Sequence, residues 1–216
     1  MTARTVLTHV YPKRVPVLIS AERLRRRVKQ IANEITADYE GKDVVLVALL
    51  SGSVIFLADL IRQLRLPLRL DFLSAASYRG THSGPLKLTR ELKLDIRGRH
   101  VLVVDDILDT GCTLKTVTKR VRALRPASVK TCVLLDKPAG RQVNMAADYV
   151  GFTISNHFVV GYGLDYNEHY RNLPFVGVLP AEITAEAGGT RRVCPGPPPA
   201  KRFSRSPSSR SRAQRN

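Results

Sequence analysis

Residues 101–114 read VLVVDDILDTGCTL, which sets Asp105, Asp106 and Asp109 within one short stretch directly after an apolar run. Ionised aspartate can only accept hydrogen bonds, so such a group suits neutral sugar hydroxyls or a hard cation such as Mg2+, which prefers oxygen ligands. Thr110, Gly111, Cys112 and Thr113 follow and open a helical pattern. Amides at a helix N-terminus, a glycine able to make a tight turn and two threonine hydroxyls form an anion cradle suited to a phosphate monoester. The carboxylates would repel that phosphate, so they must face another part of the same ligand. An anion cradle beside paired acceptors describes a ribose 5-phosphate site.

Such a site needs a strand to deliver the acids and a helix to supply the amides. VLVV (101–104) fits the first and TLKTVTKRVRAL (113–124) the second. The same alternation recurs in VVLVALL (44–50), VIFLADLIRQL (54–64), LRLDFLSAASY (68–78) and VKTCVLL (129–135). Short apolar strands buried on both faces and alternating with helices predict an α/β fold with an open, twisted, mainly parallel sheet. Upstream, Ser20 precedes Leu24, Val28, Ile31 and Ile35 at helical spacing, and Gly41 closes the pattern, so a capped helix is expected there. Ligands of open α/β sheets sit outside the carboxyl ends of the strands. The loops to inspect are therefore SGS after residue 50, SYRGTHSG after 76, DDILDTGCT after 104, DKPAGR after 135 and the segment FVVGYGLDY. No G-x-x-x-x-G-K-[ST] occurs, and GYGLDY lacks the third glycine of G-x-G-x-x-G, which argues against a nucleoside triphosphatase and a dinucleotide dehydrogenase.

VVDDILDTGCTL resembles the phosphoribosyl-pyrophosphate loop of the purine phosphoribosyltransferases. LLDKP, DYVGF, FVVGYGLDYNEHYRNLP and the Ser77-Tyr78 pair resemble the 6-oxopurine (hypoxanthine-guanine) branch of that family, in order, over most of residues 15–180. The resemblance implies the type I phosphoribosyltransferase fold, an open sheet flanked by helices with a small hood subdomain. It also implies purine salvage: Mg2+-dependent transfer of the 5-phosphoribosyl group from phosphoribosyl pyrophosphate to N9 of hypoxanthine or guanine, giving inosine or guanosine monophosphate and pyrophosphate.

By position, the resemblance implies that Asp105 and Asp106 meet the ribose hydroxyls and the metal, and that Asp109 acts near purine N7 as general acid and base. Ile107 and Leu108 would lead into the run Asp109, Thr110, Gly111, Cys112 and Thr113, which would wrap the 5′-phosphate. Lys137 would donate to the 6-oxo group, Phe158 would stack on the base, and Val159 would offer main-chain contacts to its edge. Asp165 would touch the base edge and a second Mg2+ through water, and Arg171 would contact pyrophosphate. Ser77 and Tyr78 would start a loop closing over the reacting centre, with GTHSGPLKLTRELKL as a flexible, partly strand-like hood. The sequence departs from the family pattern at Ser51, which precedes Gly52 where the family usually carries Lys or Arg. Main-chain contacts to pyrophosphate would remain there, without a side-chain cation.

The 216 residues, 44% of them hydrophobic, suit one domain over 1–187 and a tail over 188–216. Of the formal net charge of +17, the tail carries +8 from eight Lys and Arg with no acid. Its PGPPP and RSPSSRSR stretches are too poor in apolar residues to repay ordering, so disorder is expected. A solvated extension is preferred there to a nucleic-acid contact, and likewise Arg23, Arg25, Arg26, Arg27 and Lys29 read first as a solvated helix face. With no apolar run of membrane-spanning length and no apolar leader, a cytoplasmic protein is expected. Cys112, Cys132 and Cys194 share no C-x-x-C spacing, so neither zinc nor a disulfide framework is expected and the thiols read as reduced. The expected assembly is a homo-oligomer, dimer or tetramer, with VIFLADLIRQL able to serve as interface or core. The competing function is a phosphoribosyltransferase-fold regulator that binds RNA through the tail and the 22–29 helix. Retention of Asp109, Lys137 and Arg171 favours the enzyme, because RNA binding does not require all three.

Overall fold

The computed structural model describes residues 15–76, 87–90, 92–180 and 183. Ser77, Tyr78 and the 188–216 tail lie outside the described residues, and with them the expectations of a closing loop and a disordered extension.

The first helix, α1 (Ala21–Asp38), begins where the sequence places it: Ser20 Oγ accepts from the Arg23 amide at 3.3 Å, relieving one of the unpaired donors of the first turn. Its apolar stripe, Leu24, Val28, Ile31, Ala32 and Ile35, is buried. Five strands follow the expected alternation. They are β2 (Val44–Leu50), β3 (Leu68–Ala76), β5 (His100–Leu108), β6 (Ser128–Asp136) and β7 (Tyr149–Thr153). Each of the pairs β3–β2, β2–β5, β5–β6 and β6–β7 is parallel, in the order β3-β2-β5-β6-β7. β4 (Lys87–Arg90) adds to β3 antiparallel at the edge and is the described strand of the expected hood stretch.

Alternate residues of β2 feed opposite cores, which is why that strand is apolar throughout. Val44, Leu46 and Ala48 pack with α1 and with α2 (Val54–Gln63), whereas Val45, Val47 and Leu49 pack with Leu114, Val117 and Val121 of α3 (Cys112–Ala123). The sheet is thus sandwiched between two helical layers. α2 is mostly core: Phe56, Leu57 and Leu60 are buried, while Val54 and Ile55 at its start remain 39% and 40% exposed. No helix among the described residues is long and apolar enough to cross a membrane.

Two features differ from the pattern read in the sequence. β5 does not stop at Val104 but runs on to Leu108, its partners Ile107↔Leu135 and Leu108↔Asp136 continuing the ladder with β6. Leu108 is 1% exposed, and its burial explains the extension across two acids. A second sheet, in the order β1-β9-β8, joins β1 (Val17–Ile19), β9 (Val176–Val178) and β8 (Val159–Val160) antiparallel. The basic face of α1 is also partly committed within the fold. Arg27 donates to the carbonyls of Val150 and Gly151 at 2.8 and 3.0 Å, and Arg23 lies 5.7 Å from the Phe152 ring centroid.

Leu46 is fully buried at the centre of the sheet. Leu46→Ala is expected to cost about 2–5 kcal/mol, read as a lower urea midpoint at unchanged slope; a loss under about 1 kcal/mol would contradict a close-packed first core.

Candidate active site

The chain leaves β2 toward β3 on one side and β5 toward β6 on the other, so the strand order reverses between β2 and β5. Open α/β sheets bind ligands at such a crevice because the two following loops diverge and leave the strand ends uncovered. Asp105 and Asp106 stand near the carboxyl end of β5, and Ser51 and Gly52 directly follow β2.

On the β5 side, Asp105 is a strand residue only 8% exposed, and Asp106 is half-buried beside it. Asp105 Oδ1 accepts from the Asp106 amide at 3.0 Å, and Asp106 Oδ1 accepts from the Ile107 amide at 2.9 Å. On the β2 side, the Leu50–Ser51 peptide is cis and Ser51 is exposed. Ser53 is buried and donates to the Leu49 carbonyl at 2.5 Å, closing the turn into α2. Gly52 lies so close to Asp106 that a Cβ would overlap its carboxylate. The loop after β2 and the acid pair are therefore in contact.

After Leu108 the chain turns through Asp109 and Thr110 to Gly111, which caps α3 with φ +86°. That left-handed conformation is cheap only for glycine. No acidic residue occupies the first turn of α3, so its amides face an uncompensated positive end. Thr110, Cys112 and Thr113 are half-buried around it. The segment after β6 backs this turn: the Lys137 amide donates to the Leu108 carbonyl at 3.0 Å, and the Gln142 amide donates to the Thr110 carbonyl at 2.9 Å. Lys137, 9% exposed, brings its ammonium 3.3 Å from Asp109 Oδ2.

Across the crevice, Arg171 ties the last segment together. Its guanidinium donates to the Gly163 carbonyl at 2.8 Å and to Glu168 at 2.8 Å, and pairs with Asp165 at 3.1 Å. Asp165 also accepts from the Glu168 amide at 3.0 Å. Gly163 packs against the Gly52 carbonyl with no room for a side chain, which joins this segment to the β2 loop. Phe158 is 43% exposed and meets Tyr166 edge-on, centroids 5.5 Å apart, and the buried Val159 follows it in β8.

Contacts thus connect these groups: Gly52 meets Asp106, Gly163 meets Gly52 and is held by Arg171, and Lys137 reaches both Leu108 and Asp109. Two adjacent carboxylates near a strand end have the donor chemistry that fits Mg2+, which typically takes one or two carboxylates plus phosphates. Among the described residues no cluster of three or more His, Cys, Asp or Glu forms a closed metal cage. One expectation is corrected: Cys112 is disulfide-bonded, whereas Cys132 is free and fully buried, with burial pushing its thiol well above the usual range.

Other residues of the site were not singled out in the sequence. Gly140 leaves no space for a Cβ beside the Asp109 carboxylate, and Arg141 pairs with Asp136 while its stem packs on Gly111. Arg141 Nη1 is buried without a hydrogen-bond partner among the described residues. The sequence signal was present in DKPAGR: a glycine and an arginine in a loop at the carboxyl edge of the sheet.

A family model for the phosphoribosyl transferase domain matches residues 19–167. A hypoxanthine-guanine phosphoribosyltransferase of Streptococcus pneumoniae strain R6 is 46% identical over 169 residues, 77% of this chain and 94% of that protein. One from Lactococcus lactis is 47% identical over 169 residues, 77% of this chain and 92% of that one. Among solved structures, a hypoxanthine phosphoribosyltransferase of Staphylococcus aureus superposes with TM-score 0.77 at 38% identity, covering 84% of this chain and 98% of that chain. A hypoxanthine-guanine phosphoribosyltransferase of Bacillus anthracis superposes with TM-score 0.72 at 43% identity, covering 76% of this chain and 98% of that chain.

Gly98 offers a control for the turn at Gly111. Both have positive φ, but a Cβ at Gly98 meets nothing within 4 Å, whereas at Gly111 it meets Val143, Arg141 and Met145 at 3.0–3.2 Å. Gly98→Ala should cost about 1–2 kcal/mol for the backbone alone, and Gly111→Ala roughly 1 kcal/mol or more beyond it. Equal losses in chemical denaturation would mean that the 141–145 segment does not brace the turn.

Proposed function

The chain belongs to the phosphoribosyltransferase family, in its hypoxanthine-guanine branch, and from that membership we propose that it salvages 6-oxopurines. In this reading it transfers the 5-phosphoribosyl group of phosphoribosyl pyrophosphate to N9 of hypoxanthine or guanine, yielding the nucleoside monophosphate and pyrophosphate. Magnesium bound with the substrate supplies charge neutralisation for the leaving pyrophosphate.

The observation that carries the reading is the Asp109–Lys137 pair at 3.3 Å. In a 6-oxopurine, N7 and the 6-oxo oxygen lie side by side on one edge of the ring. A carboxyl group serving N7 and an ammonium donating to the oxygen must then be neighbours, and these two side chains are. Asp109 manages the N7 proton as electron density shifts toward the anomeric carbon, and Lys137 selects an oxo over an amino substituent because it can only donate. Phe158, exposed at the crevice, covers the face of the base, and the Val159 main chain reads its edge.

Asp105 and Asp106 accept the ribose hydroxyls and hold the metal. Amides and hydroxyls from Thr110 to Thr113, at the start of α3, take the 5′-phosphate. The Ser51-Gly52 main chain and Arg171 receive pyrophosphate, whose negative charge grows as the glycosidic bond loosens. Asp165, paired with Arg171 at 3.1 Å, would touch the base edge and would hold a second Mg2+ through water. Ser77 and Tyr78 start the segment that excludes water, the competing nucleophile. The substrates are small molecules handled in the cytoplasm by a homo-oligomer.

Turnover should require phosphoribosyl pyrophosphate, Mg2+ and hypoxanthine or guanine together, and should vanish with chelation. Asp109→Asn should lower kcat by roughly 10²–10⁴-fold while nucleotide affinity stays within a few-fold. Unchanged kcat would remove Asp109 from the proton chemistry. No turnover with any purine, alongside RNA binding that weakens steeply with salt, would favour the regulator instead.

A further inference from the structure

Tyr162 is 5% exposed and belongs to the first core cluster, yet it sits in the turn that carries Asp165 and Arg171. Its backbone is left-handed, φ +52°, between Gly161 at +95° and Gly163 at +101°. L-residues with bulky side chains avoid that region unless the surroundings hold them in it. Two sets of contacts do so here. The Tyr162 amide donates to the Leu173 carbonyl at 2.8 Å, and the Gly163 amide donates to the Arg171 carbonyl at 2.9 Å. The side chain, meanwhile, crosses to α2, where the Tyr162 hydroxyl donates to Asp59 Oδ2 at 2.5 Å.

Asp59 stands on the helix that begins immediately after the Ser51-Gly52 loop, and its other oxygen is held by Arg62. The turn and the loop meet again at their backbones, since Gly163 abuts the Gly52 carbonyl and its Cα faces Ile55. Two anchors therefore connect the same two elements, one through backbone packing and one through a phenol–carboxylate hydrogen bond. Burial and the Asp59 hydrogen bond push the Tyr162 hydroxyl far above the ordinary phenol range, so it remains a donor throughout the working pH range.

We propose that Tyr162 is a positioning residue: by tying its turn to Asp59 on α2, it keeps Arg171 and the Gly52 main chain in one frame for the pyrophosphate end of the substrate. Neither Tyr162 nor Asp59 touches the reacting atoms, and the inference rests on the phosphoribosyltransferase reading of Arg171 and Gly52. Loss of the tether loosens the pyrophosphate grip before it affects the Asp109–Lys137 pair, whose members directly follow β5 and β6.

The test is steady-state kinetics on Tyr162→Phe, which keeps the ring and its packing, with Asp59→Ala, Asp59→Asn and the double variant Asp59→Ala/Tyr162→Phe. Tyr162→Phe and Asp59→Ala should each raise KM for phosphoribosyl pyrophosphate roughly tenfold, more than the purine KM, with kcat changed less than about threefold. Asp59→Asn retains an acceptor for the phenol and should restore most of the affinity. The double variant should be no worse than either single, because both remove one interaction. KM values within about twofold of wild type for both single variants, or effects that multiply in the double, overturn the proposal. Should Asp59→Ala not fold, Tyr162→Phe and Asp59→Asn carry the same comparison. If the wild type transfers no phosphoribosyl group, the functional reading fails first, and the tether is then judged by hydrogen exchange at the Gly163 amide. Faster exchange in Tyr162→Phe supports it; unchanged exchange overturns it.

Discussion

The arrangement depends on backbone approaching backbone at the point where the sheet parts. Between β2 and β5 the crevice is narrow enough that Gly52 lies on the Asp106 carboxylate and Gly163 on the Gly52 carbonyl. A Cβ at Gly52 would overlap the Asp106 carboxylate, and one at Gly163 would overlap the Gly52 carbonyl. Glycine at these positions serves distance as well as conformation: it lets main-chain amides, which carry no entropy cost of ordering a side chain, reach an anion directly.

Charge is distributed to the same end. Many acids of this basic chain are neutralised in exposed pairs away from the crevice. Asp43 holds Arg69 and Arg99 at 3.0 and 2.8 Å, Glu34 holds Arg27 at 2.9 Å, and Asp38 holds Lys130 at 2.7 Å while accepting from Tyr149. Exposed pairs of this kind add little to stability. At the end of β5, neighbouring backbone amides orient both carboxylates: the Asp106 amide donates to Asp105 and the Ile107 amide to Asp106. Lys137 meanwhile stands beside Asp109, and Arg171 beside Asp165 and Glu168, so acid and base alternate along these loops.

Long periodic elements were legible in the sequence because their signal is local. α1 shows its stripe from Leu24 to Ile35 and its Ser20 cap, and β2 shows its unbroken apolar run. The acid loop was legible through chemistry, since three carboxylates followed by a threonine-flanked glycine have few uses. What stayed hidden is non-local. β1 has three residues and β8 two, too short for any period, and they become strands only because β9 pairs with both. The end of β5 was misplaced because two aspartates look like a loop until the burial of Leu108 is seen. Tyr162 reads as an ordinary core aromatic until its hydroxyl is found on Asp59, 103 residues earlier. The disulfide at Cys112 was contrary to the spacing of the cysteines.

The pairing of β1 with β9, sealed by the Val178 amide on the Pro16 carbonyl at 2.9 Å, couples the first described strand to the last. During translation Val17–Ile19 leaves the ribosome long before Val176–Val178 exists. At roughly 5–20 residues per second, that interval is on the order of ten to thirty seconds. The central sheet can form in that time, but the small sheet cannot, and β1 lacks its partner until β9 emerges. Closure of the small sheet is therefore late among the described strands, because synthesis must supply β9 before β1 has its partner.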